Sequence, residues 1–399
     1  MTYKLDTKKP HIICLILLLS FPSVATVFIS PALPAISAFF DVTEGYAQQL
    51  ITLFVVGYAL GQLLYSPLAN RFGRKKTVYI GISLYLFSCI ICFIGIYSHS
   101  LHTILVGRFL MALGSSVGMI ISFTIINDFY HPHQARSVVS YTVLSYAFMP
   151  GLSVALGGFI TSHFYWIDCF YFLFIYGVIV LLASTRLPET LIPENKKTLH
   201  IKHISSSYKA AFTNAQLLTF SIIFGLMTSY IYIIASETPF IGIDTIGLTP
   251  ALYGTLFLIP YCGQIIGALL AGKISAKLTP YTVMLIGYFS TIFGSVSMFI
   301  FFILNWINTF SLLMPVLFIM MGLPITYSTV SVMAVGDIDD KATGSAVMSF
   351  ITMSITLLAT LLITVLPTNQ PIMMPSLFIL IAIMAIVGFI IVKKRYPDH

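Results

Sequence analysis

The chain has 399 residues, of which 58% are hydrophobic and 8% charged, against about 45–50% and about 25% in an ordinary soluble domain. Its 20 Lys and Arg with 13 Asp and Glu cannot cover the surface of a soluble fold of this length, so a bilayer is the expected solvent. The net charge of +7 does not indicate nucleic acid, because that reading needs a basic face on a folded soluble surface and these cations sit in short loops.

A crossing helix takes about 20 apolar residues. Apolar runs between charged or turn-rich breaks predict helices near 11–37, 46–67, 77–97, 101–127, 138–161 and 165–187. The first follows Lys4, Lys8 and Lys9 as a secretory leader does, but its apolar stretch continues through Ile36 and it reads as an uncleaved span. Residues 188–210 then concentrate Pro, Lys, His and Ser, which marks a linker. Six further helices are predicted near 215–238, 250–270, 280–303, 309–333, 342–366 and 372–392. The expected fold is an all-α membrane protein of twelve transmembrane helices, in two six-helix bundles at 1–187 and 211–399. Twelve crossings leave no room for an extramembrane catalytic domain.

Every Lys and Arg except Arg108 falls in alternate connections, with none in the opposite loops. The positive-inside rule therefore places both termini and the linker in the cytosol. A weak repeat supports two related halves: LANRFGRKKTVY follows the second span and LAGKISAKLTPYTV the eighth. Duplicated bundles of this kind put a substrate cavity between the halves near the bilayer midplane.

Cys89 and Cys92 have CxxC spacing but lie in an apolar run with no second pair, so no zinc site is assigned. His131 and His133 form a local HPH whose Pro132 fits a turn better than a metal cage. No nucleotide-binding fingerprint occurs. No cofactor is expected, and transport would be driven by an ion gradient or by the substrate itself. A polytopic enzyme would need convergent catalytic residues at one depth, and the intramembrane ionisable groups are too scattered for that.

The turn YSPLANRFGRKK, Tyr65 to Lys76, resembles the loop joining spans 2 and 3 in the major facilitator superfamily. Gly73 permits a tight turn there, and Arg71, Arg74, Lys75 and Lys76 hold it at the cytosolic face. VGRFLMALGSS around Arg108 resembles span 4 of that superfamily's twelve-span drug:proton antiporters. NDFYHPH, with Asp128 and Tyr130, and MPGLSVALGG, with Pro150, Gly157 and Gly158, are similar to Bcr/CflA-like multidrug exporters, as are SPALPAI, ETPFIGI and ATGSAVMSF. Three positions depart from that pattern: Asn70 and Val27 stand where the family has acids, and Val154 where it has a second Pro.

The resemblance implies a monomeric secondary transporter of the cytoplasmic (inner) membrane, exporting small amphipathic compounds by alternating access, with the proton as coupling ion. A dedicated exporter of one metabolite such as a siderophore, a nutrient importer of the same fold and a non-transporting receptor are the rival readings.

A charge within a span is a functional candidate because it is costly there. Glu237 is the foremost coupling candidate: it ends span 7 at YIIASETPF, where Pro239 is expected to break the helix and provide a hinge. Arg108, inside span 4, and Asp168, at the start of span 6, are the others, Arg108 having a backbone-bonding role as its structural alternative. Asp337, Asp339 and Asp340 are expected to pair with Arg71, Arg74, Lys75 and Lys76 as a cytosolic gate of about 0–1 kcal/mol per exposed pair; helix-dipole stabilisation is the alternative. Asn70, Lys75 and Asp128 belong to the same cytosolic gating set. Tyr58, Tyr141, Tyr146, Tyr230, Tyr232, Tyr261 and Tyr327 are candidates to line the cavity, two or three of them in fact doing so.

Overall fold

The computed structural model describes residues 10–130, 132–191, 201–336, 338, 341–365 and 370–396. The described residues are helical throughout, with no strand. Ten stretches among them are long and apolar enough to cross a membrane. Between the fourth and fifth of these lie a 32-residue helix, α7 (Pro132–His163), and a shorter apolar one, α8 (Asp168–Ser184).

The predicted spans recur with breaks that apolar patterning does not mark. The first is α1 (Ile12–Val27), a single 3₁₀ turn at Ser30–Ala32 and α2 (Leu33–Phe40). Pro31 opens that turn and Pro34 opens α2, where a missing amide is tolerated. α3 (Glu44–Phe72) and α4 (Arg74–Tyr97) are separated by Gly73 alone, at φ +94°, a conformation that favours glycine. Span 4 is divided into α5 (Leu101–Ser115) and α6 (Val117–Phe129). The linker is helical in its second part, α9 (Ile201–Thr213), where irregular chain was expected.

The expectation that Pro239 breaks its helix is corrected. α10 (Ala215–Pro239) includes Pro239 and passes into a π-helical turn, Phe240–Thr245. The absent donor leaves the Ala235 carbonyl without its helical bond, and that carbonyl accepts from the Ser30 hydroxyl instead, so the helix does not end. α7 likewise runs through Pro150 unbroken. The remaining helices are α11 (Pro250–Leu256), α12 (Leu258–Ile274), α13 (Pro280–Ile303), α14 (Thr309–Val335), α15 (Lys341–Val365) and α16 (Met373–Arg395).

Buried apolar residues fall into two large clusters. One draws almost wholly on α1 to α8; the other draws on α9 to α16 but also contains Val27 and Val154. Packing repeats between the halves. α1 packs on α7 as α10 packs on α15, α3 on α5 as α12 on α14, and α4 on α5 as α13 on α14. Across the halves, α3 packs on α15 and α7 on α11 and α12. Small residues allow those approaches: a Cβ on Gly158 would stand 2.2 Å from the Pro250 carbonyl oxygen, and one on Gly254 2.6 Å from that of Val154.

Candidate functional site

The halves meet where α1 ends and α10 passes Pro239. Ser30 donates to the Ala235 carbonyl at 2.5 Å, and the Ala251 amide donates to the Ser162 hydroxyl at 2.8 Å. Both bonds join the first half to the second, closing this end of the bundle.

Glu237 lies in that seam on the last turn of α10, 5% exposed. Its Oε1 has no hydrogen-bond partner among the described residues. Gln48 on α3 is the side chain that reaches toward the carboxyl, and Glu44, one turn earlier, is close enough to oppose its charge. Gln48 is itself fully buried, with both amide atoms unpaired. A buried carboxyl and a buried amide, each short of partners, cost free energy that packing alone does not return. Sequence reasoning missed Gln48; the available signal was an amide one helical turn after Glu44 on the face that continues to Thr52.

Arg108 is fully buried on α5 and pairs with no carboxylate among the described residues. Its Nε donates to the Leu50 carbonyl at 3.2 Å, Nη1 to that of Ala25 at 2.7 Å and Nη2 to that of Thr26 at 3.2 Å. The guanidinium also stands 4.5 Å from the Phe54 ring centre. Because α1 stops at Val27, its last carbonyls lack helical partners, and the cation meets them at the negative end of the helix dipole. Asp168 is partly exposed, and its Oδ2 accepts from the Tyr165 amide at 2.9 Å, closing the turn before α8.

The tyrosines divide. Tyr230 faces the interior of the second half, donating to the Phe378 carbonyl at 2.9 Å. Tyr232, two residues on, packs against the first half's cluster. Tyr261 borders the seam, its ring 2.9 Å from where a Cβ on Gly151 would stand. Tyr58 reaches Met119 at 3.1 Å within the first half, and Tyr327 stacks on Phe224 at 4.3 Å within the second. The side chains of Tyr141 and Tyr146 lie outside the described residues.

At the opposite end, Arg74 Nε donates to Asp128 at 2.9 Å, and Thr190 Oγ1 donates to the same carboxylate at 2.7 Å. Glu189 accepts the amides of Arg74 and Lys75 at 2.9 and 3.2 Å, capping the N-terminus of α4. A Cβ on Gly73 would stand 2.3 Å from Glu189 Oε2, so the glycine also makes room for that cap. Lys75 Nζ donates to the Thr185 carbonyl at 2.7 Å, while Asn70 makes a long contact with Arg74 at 3.5 Å. Arg71 is exposed and lies over Phe72. Asp337, Asp339 and Asp340 lie outside the described residues. The Arg74 partner is thus Asp128, from its own half, and Glu189 and Thr190 were not foreseen.

Among known proteins, the chain is 28% identical over 297 residues to an uncharacterized transporter of Rickettsia bellii, a match covering 73% of this chain and 71% of that one. It is 24% identical to multidrug resistance protein D of Escherichia coli, covering 66% of this chain and 65% of that protein. It is 26% identical to a chloramphenicol resistance protein of Acinetobacter baumannii, covering 65% and 62%. The fold superposes on the crystal structure of a D-xylose-proton symporter with TM-score 0.76 at 14% identity, covering 94% of this chain and 96% of that one. The sequence profile described as Major Facilitator Superfamily matches residues 13–362. With that match on this helical architecture, the chain belongs to the Major Facilitator Superfamily, a family of membrane transporters and not of enzymes.

Proposed function

We propose that this transporter is a proton-coupled exporter of small amphipathic compounds, working by alternating access between two six-helix bundles, residues 1–187 and 211–399. The chain crosses the cytoplasmic membrane twelve times, α7 and α8 completing the first bundle, with both termini and the 188–210 linker in the cytosol. The repeated packing pairs support the division, and the confinement of Lys and Arg to alternate loops supports the orientation. The drug-resistance relatives favour export.

The observation that carries the coupling is Glu237, a carboxylate sealed between the halves with one oxygen unpaired. Such a group is neutral while the seam is dry and releases its proton when the seam opens to water. Val27, which stands where the resemblance expects an acid, is buried among residues of the second half one turn before Ser30, the residue that bonds Ala235. Glu237 thus supplies from α10 the carboxylate that span 1 lacks. Arg108 holds the broken end of α1 and stays charged. Tyr232 and Tyr261 border the substrate path.

The test uses everted membrane vesicles with an imposed inside-acid gradient and a panel of amphipathic cations and neutral compounds. Substrate-provoked proton efflux is expected from the native chain and not from Glu237→Gln. Efflux retained in the variant refutes the assignment of the carboxylate, and no efflux with any compound refutes proton exchange.

A further inference from the structure

The flank of the second half formed by α13 and α16 carries a groove away from the seam. Thr282, Leu285, Tyr288, Phe289, Ile386 and Phe389 line it around a volume of about 510 Å³. Its walls are hydrocarbon. The Tyr288 hydroxyl is buried out of reach, and Thr282 is engaged by Thr279 at 2.8 Å. Leu285, Phe289 and Ile386 are all exposed, Phe289 at 74%, so the groove opens to whatever surrounds the protein. From Thr282 to Ile292 it runs ten residues of helix, about 15 Å at about 1.5 Å per residue. That is half of a hydrocarbon core of about 30 Å, the depth of one leaflet.

Charge gathers at one end only. Tyr281 Oη donates to the Tyr396 carbonyl, which sets the first turn of α13 beside the last of α16. There Lys393, Lys394 and Arg395 are exposed, with Lys277 three residues before α13. No Asp or Glu occurs between Asp244 and Asp337, or between Asp340 and Asp398. The cations at the groove mouth therefore have no acid on α13, on α16 or on the loop that leads into α13.

We propose that this groove is a binding site for an anionic phospholipid, with an acyl chain between α13 and α16 and the phosphate on Lys393, Lys394 and Arg395. A slot without polar groups takes hydrocarbon, and cations confined to its mouth choose an anionic headgroup over a zwitterionic one. The assignment rests on the chain lying in a bilayer and is independent of substrate and of transport direction.

The full-length protein is reconstituted in vesicles of equal phosphatidylglycerol and phosphatidylcholine, extracted in mild detergent, and its retained lipid counted by native mass spectrometry. Phosphatidylglycerol is expected in several-fold excess over phosphatidylcholine. K393Q/K394Q/R395Q is expected to abolish that excess, since each cation near the headgroup contributes comparably. Ile386→Trp, which fills the groove and keeps the cations, is expected to lower the number of lipids retained. R71Q/K76Q/R186Q removes the same charge from exposed positions of the first half and is expected to change neither quantity. Equal retention of the two lipids by the native chain, an excess that survives K393Q/K394Q/R395Q, a lipid count unchanged in Ile386→Trp, or an equal loss in the first-half triple variant overturns the site. Transport is not read, so failure of the proposed proton exchange leaves this result unaffected.

Discussion

Gly158→Ala tests whether the seam between α7 and α11 acts as a conformational switch or only as a packing contact. The added Cβ would stand 2.2 Å from the Pro250 carbonyl oxygen, 3.0 Å from its carbon and 3.2 Å from the Gly254 Cα, where ordinary contact begins at 3.4 Å. All three are backbone atoms, so no rotamer change relieves the clash and the helices must separate by about 1.2 Å. Overpacking of this kind costs about 1–3 kcal/mol, and the gain in helix propensity of Ala over Gly, at most about 1 kcal/mol, is common to both arrangements and does not offset it. The strain vanishes in any state where α7 and α11 have parted. The closed arrangement should lose about 1–3 kcal/mol to the open one, a population shift of about five- to 150-fold. Spin labels at Phe164 and Leu252, both exposed beside the seam, in a chain with exposed Cys262 replaced by Ser, report the change as a longer distance. Gly263→Ala is the control, since its clash, 2.4 Å from the Leu317 carbonyl oxygen, lies within one half. It should lower stability without lengthening the distance. An unchanged Phe164–Leu252 distribution in Gly158→Ala, or the same lengthening in Gly263→Ala, refutes the reasoning.

Further outcomes follow from the same contacts. Ser162→Ala leaves the Ala251 amide without its partner, costs the closed arrangement about 1 kcal/mol, and should shift the label distance in the same direction as Gly158→Ala. Arg108→Leu strands the Ala25 and Thr26 carbonyls at about 1–3 kcal/mol each, and should lower the unfolding temperature in detergent by several degrees. Arg108→Lys, which cannot fork between three carbonyls, should recover less than half of that loss; full recovery would show that charge alone is needed. Glu189→Ala removes the cap on α4 at about 1–2 kcal/mol, and proteolysis within the linker should then run faster than in the native chain. An unchanged rate argues against that anchoring.

Apolar runs located the spans because each helix must satisfy its own backbone in lipid, a demand written locally in residues such as those of α10 and α14. Gly73 was legible for the same reason, as a single residue able to make its turn. Less legible were features that depend on partners far along the chain. Glu189 lies more than a hundred residues from the amides it caps, and nothing around it in sequence distinguishes it from a solvated acid. Gln48 reads as one polar residue on a helix until Glu237 is placed opposite it. α9 escaped notice because its Ser and Lys content suits a linker, whereas its Tyr208 bonds the Leu63 carbonyl at 2.9 Å and its Phe212 meets Phe350 at 5.9 Å, fixing it to both halves. The π turn after Pro239 has no local pattern that separates it from an ordinary helix stop.

The way Arg108 is satisfied bears on what the interior can carry. Carbonyl dipoles hold the guanidinium in place but do not cancel its charge, so the first half keeps one permanent positive charge out of water. With Glu237 protonated the buried region bears that single plus; with Glu237 ionised the two offset each other. A positively charged guest therefore meets repulsion in the first state and relief in the second, whereas an anionic guest meets the reverse. On the proposed coupling through Glu237, the order in which proton and passenger occupy the protein is set by electrostatics before any contact with the passenger is made, and a neutral compound feels this ordering least.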